Sequence, residues 1–476
     1  MIRTLKKKLA KVLCGVLVFA QLGTIQAFAR PDWPSDTGIA AEAGAVMDVD
    51  TGTMLFGQNS HVEYYPASIT KILTALVVLE HADLSDTVTY SDKAMNSVEA
   101  DSGNKLSLVA GDTMTVEDCL YALLLASVNQ AANALAEHVA GSMSDFVDMM
   151  NATIAELGCT ESHFANPSGL NSDDQVVTAY DMTKIAAAAY SNPKLLEISS
   201  AKSRKVGPTT NNPDGVNVRN EHRLVITEDT SSEFYCPEAV AGKTGYLLKA
   251  GNTLVTYGEK DGRRVVSVIL KGSPRQYFVD GKSLLQFGLN RFQNVDIAEN
   301  ETRYVTGEDA VDVNGTSYTP SDLTVQTGTK ITLPKDASFA DAELSLGTVP
   351  DGAPEGTVGV LNYTYNERKI GSAYLMTKAG AEALAAAEAA GETETTAAEE
   401  TSEESTDAAD PSADDESTEA ETETMGEADV TTAAGDADNA SNQAGSNDVK
   451  TGFPAKILLI VIGVLAVAAL IGGGIW

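Results

Sequence analysis

Apolar residues recur at three- and four-residue spacing through "SITKILTALVVLEHA", "TVEDCLYALLLASVNQAANALAEHVAG" and "MSDFVDMMNATIAEL". That spacing predicts a helical region from Ala67 to about Tyr190. Ahead of it, "AGAVMDVDTGTMLFGQN" has the pattern of two short strands around the turn "DTG". Strand patterns return in "AVAGKTGYLLK", "NTLVTYGEK" and "RRVVSVILKG", the last two joined by the hairpin signal "EKDGR". Strands at both ends with helices between predict an α+β fold: a sheet whose first and last strands can be neighbours, flanked by a helical lobe. One domain is expected over residues 38–294.

A second patterned block follows. "RYVTGEDAVDVNGTSYT", "LTVQTGTKITLP" and "GVLNYTYNERKIGSAYLMTK" alternate apolar and polar residues and are rich in valine, threonine and tyrosine. They predict a small all-β domain at 302–378, with no residues of obvious chemistry. "AEALAAAEAAG" can add one helix before the pattern stops.

Both ends lack globular patterning. Residues 1–29 place five basic residues before an apolar run that ends in "AFA", the order of a secretory signal peptide with cleavage expected after Ala29. Near the other end, Ile457–Trp476 is a 20-residue run without charge, long enough for a bilayer core of about 30 Å. A transmembrane anchor is therefore expected at 455–476. Lys450 and Lys456 run against the positive-inside tendency, and the signal peptide is taken to decide orientation. Between them, residues 391–448 hold 19 acids and no lysine or arginine. That composition cannot offset the entropy of ordering, so 379–454 is expected to be an acidic, extended spacer.

The chain carries a net charge of −34, most of it from that spacer, which argues against nucleic-acid partners. Four cysteines occur, and Cys14 would leave with the signal peptide. Cys119 occupies an apolar helical position and reads as a small core residue. No CxxC or histidine-rich spacing suggests a metal, and no cofactor is required.

Candidate chemistry begins with serine and lysine three residues apart. The pattern occurs four times, at Ser68–Lys71, Ser102–Lys105, Ser191–Lys194 and Ser199–Lys202. Ser102 enters the turn "SGNK", Pro193 breaks the third, and the fourth lies in a polar stretch. Only Ser68 precedes a sustained apolar helix, where i and i+3 share a face and the helix N-terminus favours an anion. Alone, Ser68 is better read as a helix cap beside a solvated lysine. A second element, Ser127 with Asn129, falls where the buried run "LYALLLA" meets polar residues; a turn is its structural alternative. The third, "GKTGY" at Gly242–Tyr246, sits within an expected strand, where a lysine is usually solvated. The repeat of "KTG" at Lys450–Gly452 has no strand around it and is set aside.

Together these elements resemble the active-site serine DD-peptidases, the low-molecular-weight penicillin-binding proteins of the D-alanyl-D-alanine carboxypeptidase family. The resemblance covers roughly Ala40 to Arg291 and extends to "NPSGL" and "AVAGKTGYLLKAGNTLV". It departs at Gln130, where aspartate is common, and at Ser168, where histidine is common. The resemblance implies a β-lactamase/DD-peptidase-like sheet with a helical lobe, and acyl transfer without a metal. Ser68 would attack the penultimate D-alanine carbonyl of a peptidoglycan stem peptide, with Lys71 as base. Ser127 would relay a proton to the leaving amine, and Asn129 would hold the substrate amide. Lys243 and Thr244 would bind the terminal carboxylate, and Gly245 would let the peptide lie along the strand. The backbone N–H groups of Ser68 and Tyr246 would form the oxyanion hole. β-Lactam antibiotics would be inhibitors, and the enzyme would act on the extracytoplasmic membrane face.

Lys71 can act as a base only when neutral, which an ordinary lysine is about once in a few thousand molecules at pH 7. Burial and the neighbouring charge of Lys243 would correct that. Rival readings are a serine β-lactamase, a DD-endopeptidase and a non-catalytic wall-binding protein; for the first, Glu156, Glu161 and Glu197 lie in the region of a water-activating acid, but none has a lactamase-like setting.

Overall fold

The computed structural model describes residues 30–99 and 102–387. The expected signal peptide, the spacer from residue 388 on and the expected membrane anchor lie outside the described residues. Among the described residues no helix is long and apolar enough to cross a membrane.

Five strands build the central antiparallel sheet: β1 (Ala43–Asp48), β2 (Met54–Gln58), β3 (Ala239–Leu247), β4 (Gly251–Lys260) and β5 (Arg263–Gly272), in the order β2-β1-β5-β4-β3. β1 pairs with β5 across more than 200 residues of chain, from Ala43↔Leu270 to Asp48↔Val265. The first and last strands are thus neighbours, and β3 lies at an edge. Period-two alternation splits β5 between two cores. Val265 and Ile269 pack with Leu284, Leu285 and Phe287 of the C-terminal helix Gln276–Arg291. Val266, Val268 and Leu270 pack against the helical lobe on the opposite face.

Three helices of that lobe position the chemistry: α1 (Lys71–His81), α2 (Val116–Leu125) and α3 (Asn129–Ala140). The periodicity predicts a one-faced α1, but every residue from Lys71 to Val78 is buried. A helix apolar all round belongs in the middle of a lobe, and α1 sits there with a lysine at its head. The long apolar run also breaks into two helices. Thr115 caps α2 by accepting from the Asp118 N–H. The chain then turns at Ser127, whose φ is +58°, before α3 begins. The region from Ala67 to Tyr190 is not helical throughout: Thr87–Thr89 pairs with Thr113–Thr115, and residues 157–178 form loops.

Beyond the sheet, Leu323–Val325, Arg368–Thr377, Thr357–Tyr365 and Glu343–Gly347 form a second antiparallel sheet, in that spatial order. It has its own apolar cluster, which includes Leu361, Tyr363, Tyr365 and Leu375. Phe292–Asp296 pairs with Lys330–Pro334, so a strand passes through the boundary expected at Asn294. At that junction Thr51 and Thr332 hydroxyls lie 2.7 Å apart, and Asn294 donates to Asp48 at 3.1 Å.

Candidate active site

Pro66 leads into a single 3₁₀ turn, Ala67–Thr70, which runs directly into α1. Ser68 is therefore in the tight turn and not in the α-helix itself. In a 3₁₀ turn positions i and i+3 eclipse, which sets Lys71 beneath Ser68. The Lys71 Nζ is 2.9 Å from the Ser68 Oγ. Ala67 holds φ at +51°, a strained value for a residue with a side chain, immediately before the nucleophile candidate.

Lys71 is completely buried and meets no carboxylate. Its amine donates to the Asn129 Oδ1 at 2.8 Å and to the Ser168 carbonyl at 2.5 Å. Burial holds its pKa well below the ordinary lysine value, and the charges of Lys243 and Lys105 act in the same direction; Glu221 opposes them. Lys71 uses only the backbone of Ser168, whose hydroxyl donates instead to the Asn166 Oδ1 at 3.1 Å. Gln130 donates to the Gly103 carbonyl at 3.0 Å, a bond within the surrounding loop rather than within the site.

β3 brings the third element. Lys243 is also buried, its pKa pushed down to about 8, chiefly by burial. Its amine donates to the Thr244 carbonyl at 2.9 Å. Beneath the strand, His222 is buried against the Val255 carbonyl and the Thr256 hydroxyl, and burial takes its pKa to about 4. Gly245 faces inward. A Cβ there would stand 2.4 Å from the Thr253 Oγ1 and 2.8 Å from the Ser68 nitrogen. Close packing of β3 on the serine turn thus requires glycine at this position. Gly169 makes a similar approach from the other side: with φ at +84°, its missing Cβ would sit 2.0 Å from the Ala67 carbonyl oxygen.

A cavity of about 550 Å³ opens over these elements. Ser68, Ser127, Asn129, Thr244, Gly245 and Tyr246 line it, together with Glu99, Ser102, Lys105, Asn171, Glu221 and Tyr277. Lys71 and Lys243 lie below its surface. Sequence reasoning missed the second group. Ser102–Lys105 was recognised as a repeat of the serine–lysine pattern and set aside as a turn, and nothing local marked Glu99 or Glu221. The three glutamates weighed as water-activating acids lie elsewhere: Glu161 pairs with His61 at 2.9 Å and Glu197 with Lys194 at 3.0 Å. Glu99 accepts from the Asn171 N–H and side-chain amide, and Glu221 pairs with Lys105. The three described cysteines are free and buried, their thiols pushed up to about 12 chiefly by burial, so they are chemically inert.

Comparison with known proteins places this site in a family. A family model described as D-alanyl-D-alanine carboxypeptidase matches residues 30–273, just over half of the chain. The D-alanyl-D-alanine carboxypeptidase DacB2 of Mycobacterium tuberculosis is 34% identical over 264 residues, covering 54% of this chain and 83% of its own. DacF of Bacillus subtilis, of the same description, is 29% identical over 294 residues, covering 61% and 72%. Among solved structures, penicillin binding protein 5 of Haemophilus influenzae shares the fold, with a TM-score of 0.56 at 24% identity over 72% of this chain and 98% of that one. The chain belongs to the D-alanyl-D-alanine carboxypeptidase family.

Proposed function

We propose that the protein is a serine-type D-Ala-D-Ala carboxypeptidase that removes the terminal D-alanine of peptidoglycan stem peptides through a Ser68 acyl-enzyme. The observation that carries this reading is the bonding of the Lys71 amine. A neutral amine has two hydrogens and one lone pair. The Asn129 Oδ1 and the Ser168 carbonyl can only accept, so they take both hydrogens. The lone pair is left to the third neighbour, the Ser68 hydroxyl, which can donate. Burial without an anionic partner favours this neutral form, so the base is ready before substrate arrives.

Attack by the Ser68 Oγ on the penultimate carbonyl then moves its proton to Lys71. Ser127, on the cavity wall, relays that proton from Lys71 to the departing amine, so that both return to their starting forms. Asn129 commits its oxygen to Lys71 and keeps its amide N–H groups for the substrate backbone. Thr244 touches the terminal carboxylate while the positive charge of Lys243 supports it from below. The backbone N–H groups of Ser68 and Tyr246 receive the oxyanion, since their segments meet at Gly245. Water hydrolyses the acyl-enzyme and returns the serine. β-Lactams would acylate the same serine.

The sheet after residue 302 is assigned to a separate small all-β domain. Its apolar cluster supports this, as does the solved fold relative, whose likeness spans more of the chain than the family match. An exported enzyme held on the outer membrane face by residues 455–476, at the end of the acidic spacer, fits the composition of both ends.

The test is an intact-mass time course with benzylpenicillin, beside D-alanine release from a D-Ala-D-Ala peptide. A long-lived adduct on Ser68, absent from Ser68→Ala protein, supports the proposal. Rapid destruction of the drug would instead make the enzyme a β-lactamase. D-Alanine release at the wild-type rate by Ser68→Ala protein would overturn the site.

A further inference from the structure

Lys105 spans the cavity mouth. Its amine donates to the Ala126 carbonyl at 2.8 Å and to the Glu221 Oε1 at 2.6 Å. Ala126 is the last residue before Ser127, whose backbone sits in the strained left-handed region. Glu221 is held from both sides. Asn220 is buried and donates to the Ser199 and Ala201 carbonyls, and buried His222 lies under Gly242 of β3. One side chain thus ties the turn that carries Ser127 to the segment that underlies the Lys243–Gly245 strand. None of these bonds is between neighbours in sequence: Ala126 is 21 residues from Lys105, and Glu221 is 116.

We propose that Lys105 is a positioning residue for the acyl-transfer reaction, fixing the Ser127 turn through the Ala126 carbonyl and bracing it against β3 through Glu221. The inference rests on the carboxypeptidase reading above. It gives the strained turn at Ser127 a cause: without an outside donor on the Ala126 carbonyl, the backbone would relax and carry the serine hydroxyl away from the reacting atoms. The same pair faces both buried lysines. The charged groups around Lys71 are Lys243 on β3, Lys105 on its loop and Glu221 beyond, and those around Lys243 include Lys105 and Glu221. Lys105 disfavours the charged form of Lys71, whereas Glu221 favours it.

Two variants separate placement from mere stability. Lys105→Met removes both donors and the charge; Glu221→Gln keeps an acceptor and removes the opposite charge. The full-length protein is acylated with benzylpenicillin across a pH series, with D-alanine release and thermal unfolding measured alongside. Lys105→Met is expected to lower the acylation rate by about 10- to 100-fold, the scale of a small misplacement of reacting groups. Lys105→Arg is expected to recover most of that loss. The acidic limb of the rate profile moves to higher pH in Lys105→Met and to lower pH in Glu221→Gln, because the two charges act oppositely on Lys71. Both lie at a partly exposed mouth, so each movement is under about one pH unit. A purely structural role would move both limbs alike or neither. Lys105→Met protein acylating at the wild-type rate, or the two limbs moving the same way, would overturn the inference while leaving the carboxypeptidase reading intact. Should Lys105→Met fail to fold, Glu221→Ala decides in its place, because it removes the brace: acylation at the wild-type rate overturns the inference. Wild-type protein that neither forms the Ser68 adduct nor releases D-alanine would remove both.

Discussion

The junction between the two sheets and the active site each bury a cation, and Arg263 in the first and Lys71 in the second are treated in opposite ways. At the junction between the two sheets, Arg263 pairs with the fully buried carboxylate of Asp48 at 2.7 Å and also donates to the Gly288 and Phe292 carbonyls. In the active site, Lys71 is equally buried and has only neutral partners. A guanidinium stays charged wherever it is placed, so burying it requires an anion and several acceptors. An amine has a second option, which is to give up its proton. The junction uses charge to hold two sheets together; in the proposed mechanism the site uses the missing counter-ion to make a base. Between these two residues, an anionic partner marks the structural use and its lack the proposed chemical one.

Substitutions should split along the same line. Lys71→Met is expected to lower acylation of Ser68 by at least about 1,000-fold, since base and nucleophile act as a unit. Its melting temperature should equal or exceed that of the wild type, because an apolar stem replaces a buried amine. Arg263→Met should do the reverse. It strands Asp48 and is expected to cost roughly 3–5 kcal/mol of stability, read by denaturant unfolding, while protein that remains folded acylates at a rate close to wild type. A large loss of stability in Lys71→Met, or of acylation in folded Arg263→Met, would break the comparison.

A subtler test uses pH. The Lys243 amine titrates at about 8 in the folded protein and near 10.5 when exposed. Between those values the unfolded chain binds more protons, so this group's contribution to stability rises with pH across the window. The stability of the wild type relative to Lys243→Met should therefore improve from about pH 8 to 10.5, and a flat difference would show that Lys243 is not depressed. The smallest effect belongs to ion pairs in water. Arg291 and Asp36 are each about half exposed, and Arg291→Ala should change stability by less than about 0.5 kcal/mol in the same unfolding assay.

The sheet and the three motif elements were legible in the sequence because their signals are local. The strand patterns around the hairpin "EKDGR" and the apolar helix behind Ser68 each fit within a dozen residues. The break at Ser127 was only half legible. Composition placed polar residues after "LYALLLA", but the lysine that donates to the Ala126 carbonyl at the left-handed turn lies 21 residues away. The packing at Gly245 was not legible, because its neighbours Ser68 and Thr253 meet it only after the sheet closes. The second wall of the cavity was illegible for the same cause. Glu99 and Lys105 come from one connection and Glu221 from another more than 100 residues on, and Ser168 contributes a carbonyl that its side chain does not announce.

The most direct measurement is the titration of the Lys71 amine itself, by NMR on protein carrying isotope-labelled lysine, with Lys71→Met used to assign the signal. The account predicts that Lys71 is neutral at pH 7 and titrates well below the surface lysines. A Lys71 amine that stays charged at pH 7 and loses its proton with the exposed lysines near 10.5 would contradict it.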